Sequence, residues 1–259
     1  MNKIKDADRA INYERYERQI ILDSFGIEGQ EKLKKAKVLI IGAGGLGSPT
    51  AMYLAGAGIG TIGIADADEV SISNLHRQIM HPSCRTGENK AESAKESMLA
   101  LNDEVRVITY PYFLTEENIE EILPLYDFVL LCVDNFETRF LVNDACVALG
   151  IPFSHAGVIA YEGQLLSYVP GKGPCYRCIF EDIPEEGTVP TAKEIGILGP
   201  MAGAIGSLQA LEAIKYLTGI GEMLTGRMYI LDGLSMQSRI AKFPKASCYC
   251  PACNRKMKR

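Results

Sequence analysis

Histidine is scarce in this chain, and there is no excess of positive charge. Three histidines occur in 259 residues, too few for a histidine-rich metal site. Lysine and arginine number 27 against 32 aspartates and glutamates, a formal net charge of −5 with an isoelectric point near 5.4. That balance argues against general nucleic-acid binding, which needs a basic surface to displace counterions from phosphates. Long apolar runs are also lacking. The uncharged stretch Ile195 to Leu211 has 17 residues, carries Pro200, Ser207 and Gln209, and runs into Glu212 and Lys215. It reads as a buried helix rather than a membrane span, so no membrane partner is expected. Met1 to Glu17 mixes both charges without an apolar stretch, unlike a signal peptide. No internal repeat, low-complexity tract or linker interrupts the chain, and one continuous domain over residues 1–259 is expected.

Cysteine, in contrast, is plentiful and patterned. Cys175-Tyr-Arg-Cys178 and Cys250-Pro-Ala-Cys253 are two C-x-x-C pairs. Each pair turns two sulfurs toward one point, and four thiolates complete the tetrahedral shell of a zinc ion. With all four positions filled by protein the zinc is structural, not catalytic. Cys248 is a possible substitute ligand. Cys132 and Cys146 lie in apolar, regular segments and read as inert core thiols, and Cys84 lies in a polar loop. Paired spacing and the absence of a leader pattern favour a reducing, cytoplasmic setting over a disulfide framework.

The rest of the chain alternates strand and helix. Short apolar runs at 37–42, 61–66, 105–110, 128–133 and 152–156 are predicted parallel strands; 46–57, 89–101, 116–123 and 136–149 are predicted helices. This is a doubly wound, Rossmann-like α/β fold with a mostly parallel sheet. After residue 157 the grammar changes. Gly163 to Val169 alternates as an antiparallel strand does. Glu181 to Lys193 is an acidic crossover loop. Met201 to Leu217 is a long helix, and 227–232 and 236–243 are further strands that continue the sheet.

Gly42-Ala-Gly44-Gly45-Leu-Gly47 joins the first strand to the first of these helices. Its glycines allow a tight turn, close approach of phosphate to the backbone and close helix–strand packing, and the helix N-terminus attracts an anion. Asp66 ends the second strand, where a ribose hydroxyl would meet it. By itself this pattern points first to a dinucleotide. Asn74-Leu-His-Arg77-Gln78, Lys90 and Asp134-Asn135 with Arg139 all fall near carboxyl ends of parallel strands, where open α/β sheets bind ligands. Two cations suit a triphosphate, and a carboxylate suits Mg²⁺, which bridges phosphate oxygens. The set favours ATP over NAD. Asp134-Asn135 is also a plausible helix cap.

In order along the chain, Arg15-Tyr16-Glu17-Arg18-Gln19, the glycine turn, Asp66-Ala67-Asp68, the N-L-x-R-Q stretch, Lys90, Asp134-Asn135 with Arg139, both cysteine pairs and Gly206-Ser-Leu-Gln-Ala-Leu-Glu-Ala213 resemble the ThiF/MoeB/HesA adenylyltransferases, relatives of ubiquitin-activating enzymes. The matches run from Arg15 to Cys253. The resemblance implies Mg·ATP-dependent adenylation of the C-terminal glycine of a small ubiquitin-like, β-grasp sulfur carrier ending in Gly-Gly. Pyrophosphate is released and thiocarboxylate formation follows. It also implies a homodimer in which Arg18 enters the partner's active site. Asp66 then binds ribose. Asn74, Arg77 and Lys90 bind phosphates, Gln78 and Asn135 line the nucleotide site, and Asp134 sits at magnesium. The ATP-binding half spans about 15–157; the knuckle, crossover loop and carrier-binding half spans about 158–259.

The chemistry fits that inventory. A C-terminal carboxylate is already ionised at neutral pH, so none of the three histidines is needed as a base. The obstacle is repulsion between two anions, which positioned cations and Mg²⁺ relieve. One departure stands out. Many family members carry T-C-x-E-A-G in the crossover loop, whereas this chain has Thr191-Ala192-Lys193-Glu194-Ile195-Gly196. Adenylation is unaffected, but a covalent enzyme–carrier step through this loop is in doubt, and a separate sulfur donor is expected. Thiamin, molybdopterin, cysteine and other thio-compound pathways all remain open. Three alternatives stand beside this reading: adenylation and dehydration of a small carboxylate on tRNA, an NAD-dependent oxidoreductase, and a non-enzymatic nucleotide-binding scaffold.

Overall fold

In the computed structural model two helices open the chain, α1 (Tyr13–Ile20) and α2 (Gly26–Lys35). There follow β1 (Lys37–Ile41), α3 (Gly47–Ala57), β2 (Thr61–Ala65), α4 (Lys90–Leu101), β3 (Arg106–Tyr110), α5 (Ile119–Ile122), β4 (Phe128–Leu131), α6 (Phe136–Leu149), β5 (Phe153–Ile159) and β6 (Glu162–Tyr168). Then come α7 (Tyr176–Ile179), α8 (Ala192–Ile195), α9 (Gly199–Thr218), β7 (Arg227–Asp232), β8 (Ser238–Lys242) and α10 (Pro251–Arg255). The structure describes residues 12–185, 187–190, 192–243, 245–247 and 249–255. The crossover-loop residues Glu186 and Thr191, the side chains of Ala192 and Lys193, and Cys248 lie outside what is described.

The strands form one sheet in the order β3-β2-β1-β4-β5-β6-β7-β8. Pairing is parallel from β3 to β5 and antiparallel from β5 to β8. The expected doubly wound sheet with an antiparallel continuation is what forms. Apolar runs such as Val38 to Ile41 are buried on both sides because helices cover both faces. Val38, Ile40, Ile62, Ile64, Phe128 and Leu130 face α3, α4 and α9. Leu39, Ile41, Val129, Leu131 and Phe153 face α6 and the cysteine segment. Each such side chain contributes roughly 1.5–3 kcal/mol by leaving water.

Several boundaries differ from expectation for local reasons. The helix expected over 116–123 is cut to α5, followed by a 3₁₀ turn at Leu123–Leu125 that contains Pro124. Strand β5 runs past Ala156 to Ile159, because its far end pairs with β6 through a hairpin in which Ala160 has φ 48°. The uncharged run around 195–211 is largely α9, and no helix among the described residues is long and apolar enough to cross a membrane.

Candidate active site

The strand order reverses between β1 and β4, and a cleft opens there at their carboxyl ends. The space within it, open solvent included, is about 1000 Å³. Its floor is the glycine turn. Gly42 has φ 98°, and a Cβ there would stand 2.7 Å from the Cys132 carbonyl oxygen. A Cβ on Gly47 would stand 2.0 Å from the Gly42 carbonyl. Both positions therefore exclude any side chain. Gly44 and Gly45 line the cleft itself.

The turn is held from below. Asp66 Oδ2 accepts from the Ala43 N–H at 2.7 Å, and Oδ1 accepts from the Asp68 N–H at 2.9 Å. Burial raises the Asp66 carboxyl, opposed by the charge of Lys90. His81 bridges the Ala43 carbonyl (2.8 Å) and Ser93 Oγ (2.9 Å). Burial lowers its pKa, so it is a neutral strut. Sequence reading gave His81 no catalytic role, and both its ring nitrogens are engaged.

The polar walls come from the predicted stretches. Asn74 Oδ1 accepts from the Arg77 guanidinium at 2.9 Å and aims it. Gln78 is 4 % exposed and lines the cleft, with Oε1 unpartnered. Lys90 begins α4, is 5 % exposed, and reaches Asp68 at 2.9 Å. Asn89 caps α4 through Ala91 and Glu92 and also donates to the carbonyls of Asp66 and Asp68. Asp134 follows β4, exposed and on the cleft wall. Asn135, also on that wall, is the N-cap of α6, accepting from Thr138 N–H at 2.8 Å. The cap alternative thus holds for Asn135, while the carboxylate of Asp134 makes no cap bond.

Asp66, Arg77, Gln78, Lys90, Asp134 and Asn135 therefore share one cleft with Gly42, Gly44 and Gly45, Gly47 lies outside its lining, and Asn74 stands behind Arg77. Arg18 does not belong to it. It is exposed on α1 and lines no part of this chain's own cleft. Sequence reading missed Tyr112, Phe113 and Leu114, which give the cleft an apolar wall. They follow β3, so the rule that placed the other residues at strand carboxyl ends could have found them.

A second cluster lies on the sheet face that α6 covers. The sulfurs of Cys175, Cys178, Cys250 and Cys253 lie within 4.8 Å of one another. Cys175 is 3.7 Å from Cys178 and 3.6 Å from both Cys250 and Cys253, and Cys178 is 3.6 Å from Cys253. A tetrahedral shell with zinc–sulfur bonds of ~2.3 Å has edges of ~3.8 Å, so the residues fit the metal. The other cysteines behave differently. Burial pushes the Cys132 thiol up to about 12 and raises Cys146 further, and Cys84 is exposed.

A parallel sheet that reverses order at a glycine turn, with charged groups over the reversal, defines a doubly wound α/β protein with a ligand cleft at its switch point. The chain belongs to the ThiF family, whose model matches residues 16–252. It is 44% identical to adenylyltransferase and sulfurtransferase MOCS3 of Aedes aegypti over 254 residues, 98% of this chain and 57% of the relative. It is 47% identical to the same-named protein of Drosophila virilis over 93% of this chain and 53% of the relative. The chain thus spans about half the length of these relatives. Among solved structures, E. coli MccB with ATP superposes with a TM-score of 0.82 at 26% identity, covering 96% of this chain and 75% of that one. PaaA superposes at 0.77 and 26% identity, over 93% and 78%.

Proposed function

We propose that this chain adenylates the C-terminal glycine of a small ubiquitin-like sulfur carrier, using Mg·ATP and releasing pyrophosphate. We read residues 1–259 as one adenylation domain. The observation that carries the proposal is the convergence of Asp66, Arg77, Lys90 and Asp134 on the glycine-turn cleft. The names of the MOCS3 relatives and the ATP complex of MccB support it.

The carrier's carboxylate oxygen forms a bond to the α-phosphorus. The bond from that phosphorus to the bridging oxygen breaks, and pyrophosphate leaves with the electron pair. No proton has to move, because the carboxylate is ionised at neutral pH. The cleft is equipped accordingly. Among its described lining residues there is no histidine, and its one cysteine, Cys132, is buried with its sulfur 3.2 Å from Gln209 Oε1. Arg77 and Lys90 neutralise phosphate charge. Lys90 has three N–H donors, so it keeps Asp68 while taking a phosphate oxygen. Asp134 would hold magnesium, which would supply positive charge to offset that of the leaving group. Asp66 takes the ribose. The four cysteines would hold zinc away from the chemistry, as a structural ion.

MccB was solved with MccA, which raises an acceptor other than a sulfur carrier. The carrier is favoured by the identity of 44–47% to the MOCS3 proteins against 27% to that structure. Titration calorimetry tests the nucleotide: Mg²⁺-dependent ATP binding and no NAD binding are expected. Tight NAD binding without ATP binding would return the chain to the oxidoreductase class. Pyrophosphate release stimulated by tRNA and not by a carrier would support the tRNA alternative.

A further inference from the structure

Among the cations that line the cleft, Arg77 is held on several sides. The turn that carries it fixes its backbone: the Arg77 and Gln78 N–H groups both donate to the Asn74 carbonyl, at 3.1 and 3.0 Å. Its stem crosses the glycine turn, where a Cβ on Gly45 would stand 3.3 Å from Arg77 Cγ and 3.5 Å from Cδ. Behind it lies the start of α9. A Cβ on Gly199 would stand 2.5 Å from the His76 carbonyl oxygen and 3.3 Å from Arg77 Cα. Glycine at that position lets the helix rest directly on this pair of residues.

The guanidinium itself is gripped at both terminal nitrogens. Nη2 donates to Asn74 Oδ1 at 2.9 Å, and Nη1 stands 2.8 Å from Nε2 of His76. A guanidinium has donors and no acceptor, so His76 Nε2 receives this bond and the ring proton sits on Nδ1. Neither acceptor carries a negative charge, so the grip orients Arg77 without cancelling its charge. A fork held in this way has given up much of its rotamer freedom before a phosphate arrives, which lowers the ordering cost of binding. His76 is exposed and is not among the residues lining the cleft. An exposed ring adds little to the core, which separates its contact with Arg77 from a role in folding.

We propose that His76 is a positioning residue of the nucleotide cleft. Together with Asn74 it holds the Arg77 guanidinium in one orientation, so that the arginine meets a polyphosphate already aimed. His76 acts through Arg77 and not by touching the nucleotide. The inference rests on the adenylyl-transfer reading above, in which Arg77 binds phosphate.

Calorimetry with Mg·ATP on the whole chain tests this. His76→Leu removes the acceptor, and about tenfold weaker binding is expected. His76→Gln supplies an amide oxygen as acceptor and should bind within about twofold of wild type. Adenosine offers Arg77 no phosphate, so its affinity should be the same in all three proteins. Wild-type ATP affinity in His76→Leu would overturn the inference. An equal loss in His76→Gln, or an equal loss for adenosine, would overturn it too, because either points to the shape of the segment rather than to the acceptor. Should His76→Leu fail to fold, His76→Ala carries the same expected loss, and wild-type affinity there overturns the inference instead. Absence of ATP binding by the unaltered chain removes the functional reading and this inference together, whereas wild-type binding in His76→Leu removes only the inference.

Discussion

At the scale of the residue, the cleft is made by groups whose ordinary preferences are overridden. Asp134 is the clearest case for function, an exposed carboxylate lining the same cleft as the buried cation Lys90. Asp134→Ala should reduce pyrophosphate release by about 10²–10³-fold with the melting temperature within a few degrees of wild type. Full activity would remove the residue from the site. The buried histidines make a separate prediction. Burial lowers the pKa of His81, and lowers that of His155 still further, with the charge of Arg139 adding to it. Both are neutral in the folded chain, while the unfolded chain binds a proton at each below pH ~6.5. Stability is therefore fully present above that pH and falls as pH drops toward the lowered folded values. The slope is at most about 1.4 kcal/mol per pH unit for each group. Thermal melts from pH 7.5 to 5.5 should show this decline, less steeply in His155→Leu; identical slopes would contradict it.

At the scale of the element, the outcome shows which signals a sequence carries. The strands β1 to β4 and helices α3, α4 and α6 were legible because unbroken apolar runs alternate with capped, periodic segments. Asn89 and Asn135 announce two of these helices and do cap them. Most of the cleft was legible as well, because its residues sit at predictable strand ends. Helices α1 and α2 were not. Tyr16 is the only buried side chain in α1, and α2 buries little beyond Gln30 and Leu33, so neither shows an apolar stripe. What fixes them is tertiary: Gln19 and Gln30 both donate to the Ala57 carbonyl, and the Tyr16 ring fills the space left by Gly58. The Tyr112–Leu114 wall was missed because no charge marks it. The cysteine spacing spoke clearly, since each pair opens a short helix, α7 and α10, that turns both thiols inward. We expect about one zinc per chain by elemental analysis. Cys250→Ser should lower the melting temperature by several degrees, because metal binding contributes directly to folding. Metal-free protein with the cluster's thiols freely titratable would contradict this.

At the scale of the whole molecule, two features point beyond the single chain. Arg18 is exposed and outside the chain's own cleft, which is where a residue acting in a partner's site would be. If the active site is shared, mixing Arg18→Ala with Asp134→Ala protein should restore part of the activity through hybrid dimers. No recovery despite subunit exchange would assign Arg18 to the surface alone. The other feature is the crossover loop with Ala192, which offers no thiol for a covalent carrier step. The account therefore rests on adenylation, and mass spectrometry of the carrier tests that most directly. With Mg·ATP and this chain, a carrier ending in Gly-Gly should gain an adenylate at its C-terminus with release of pyrophosphate. A carrier lacking its last glycine should gain none. A carrier left unmodified while ATP is bound, or one recovered only as a reducible conjugate with an enzyme cysteine required for turnover, would contradict the account.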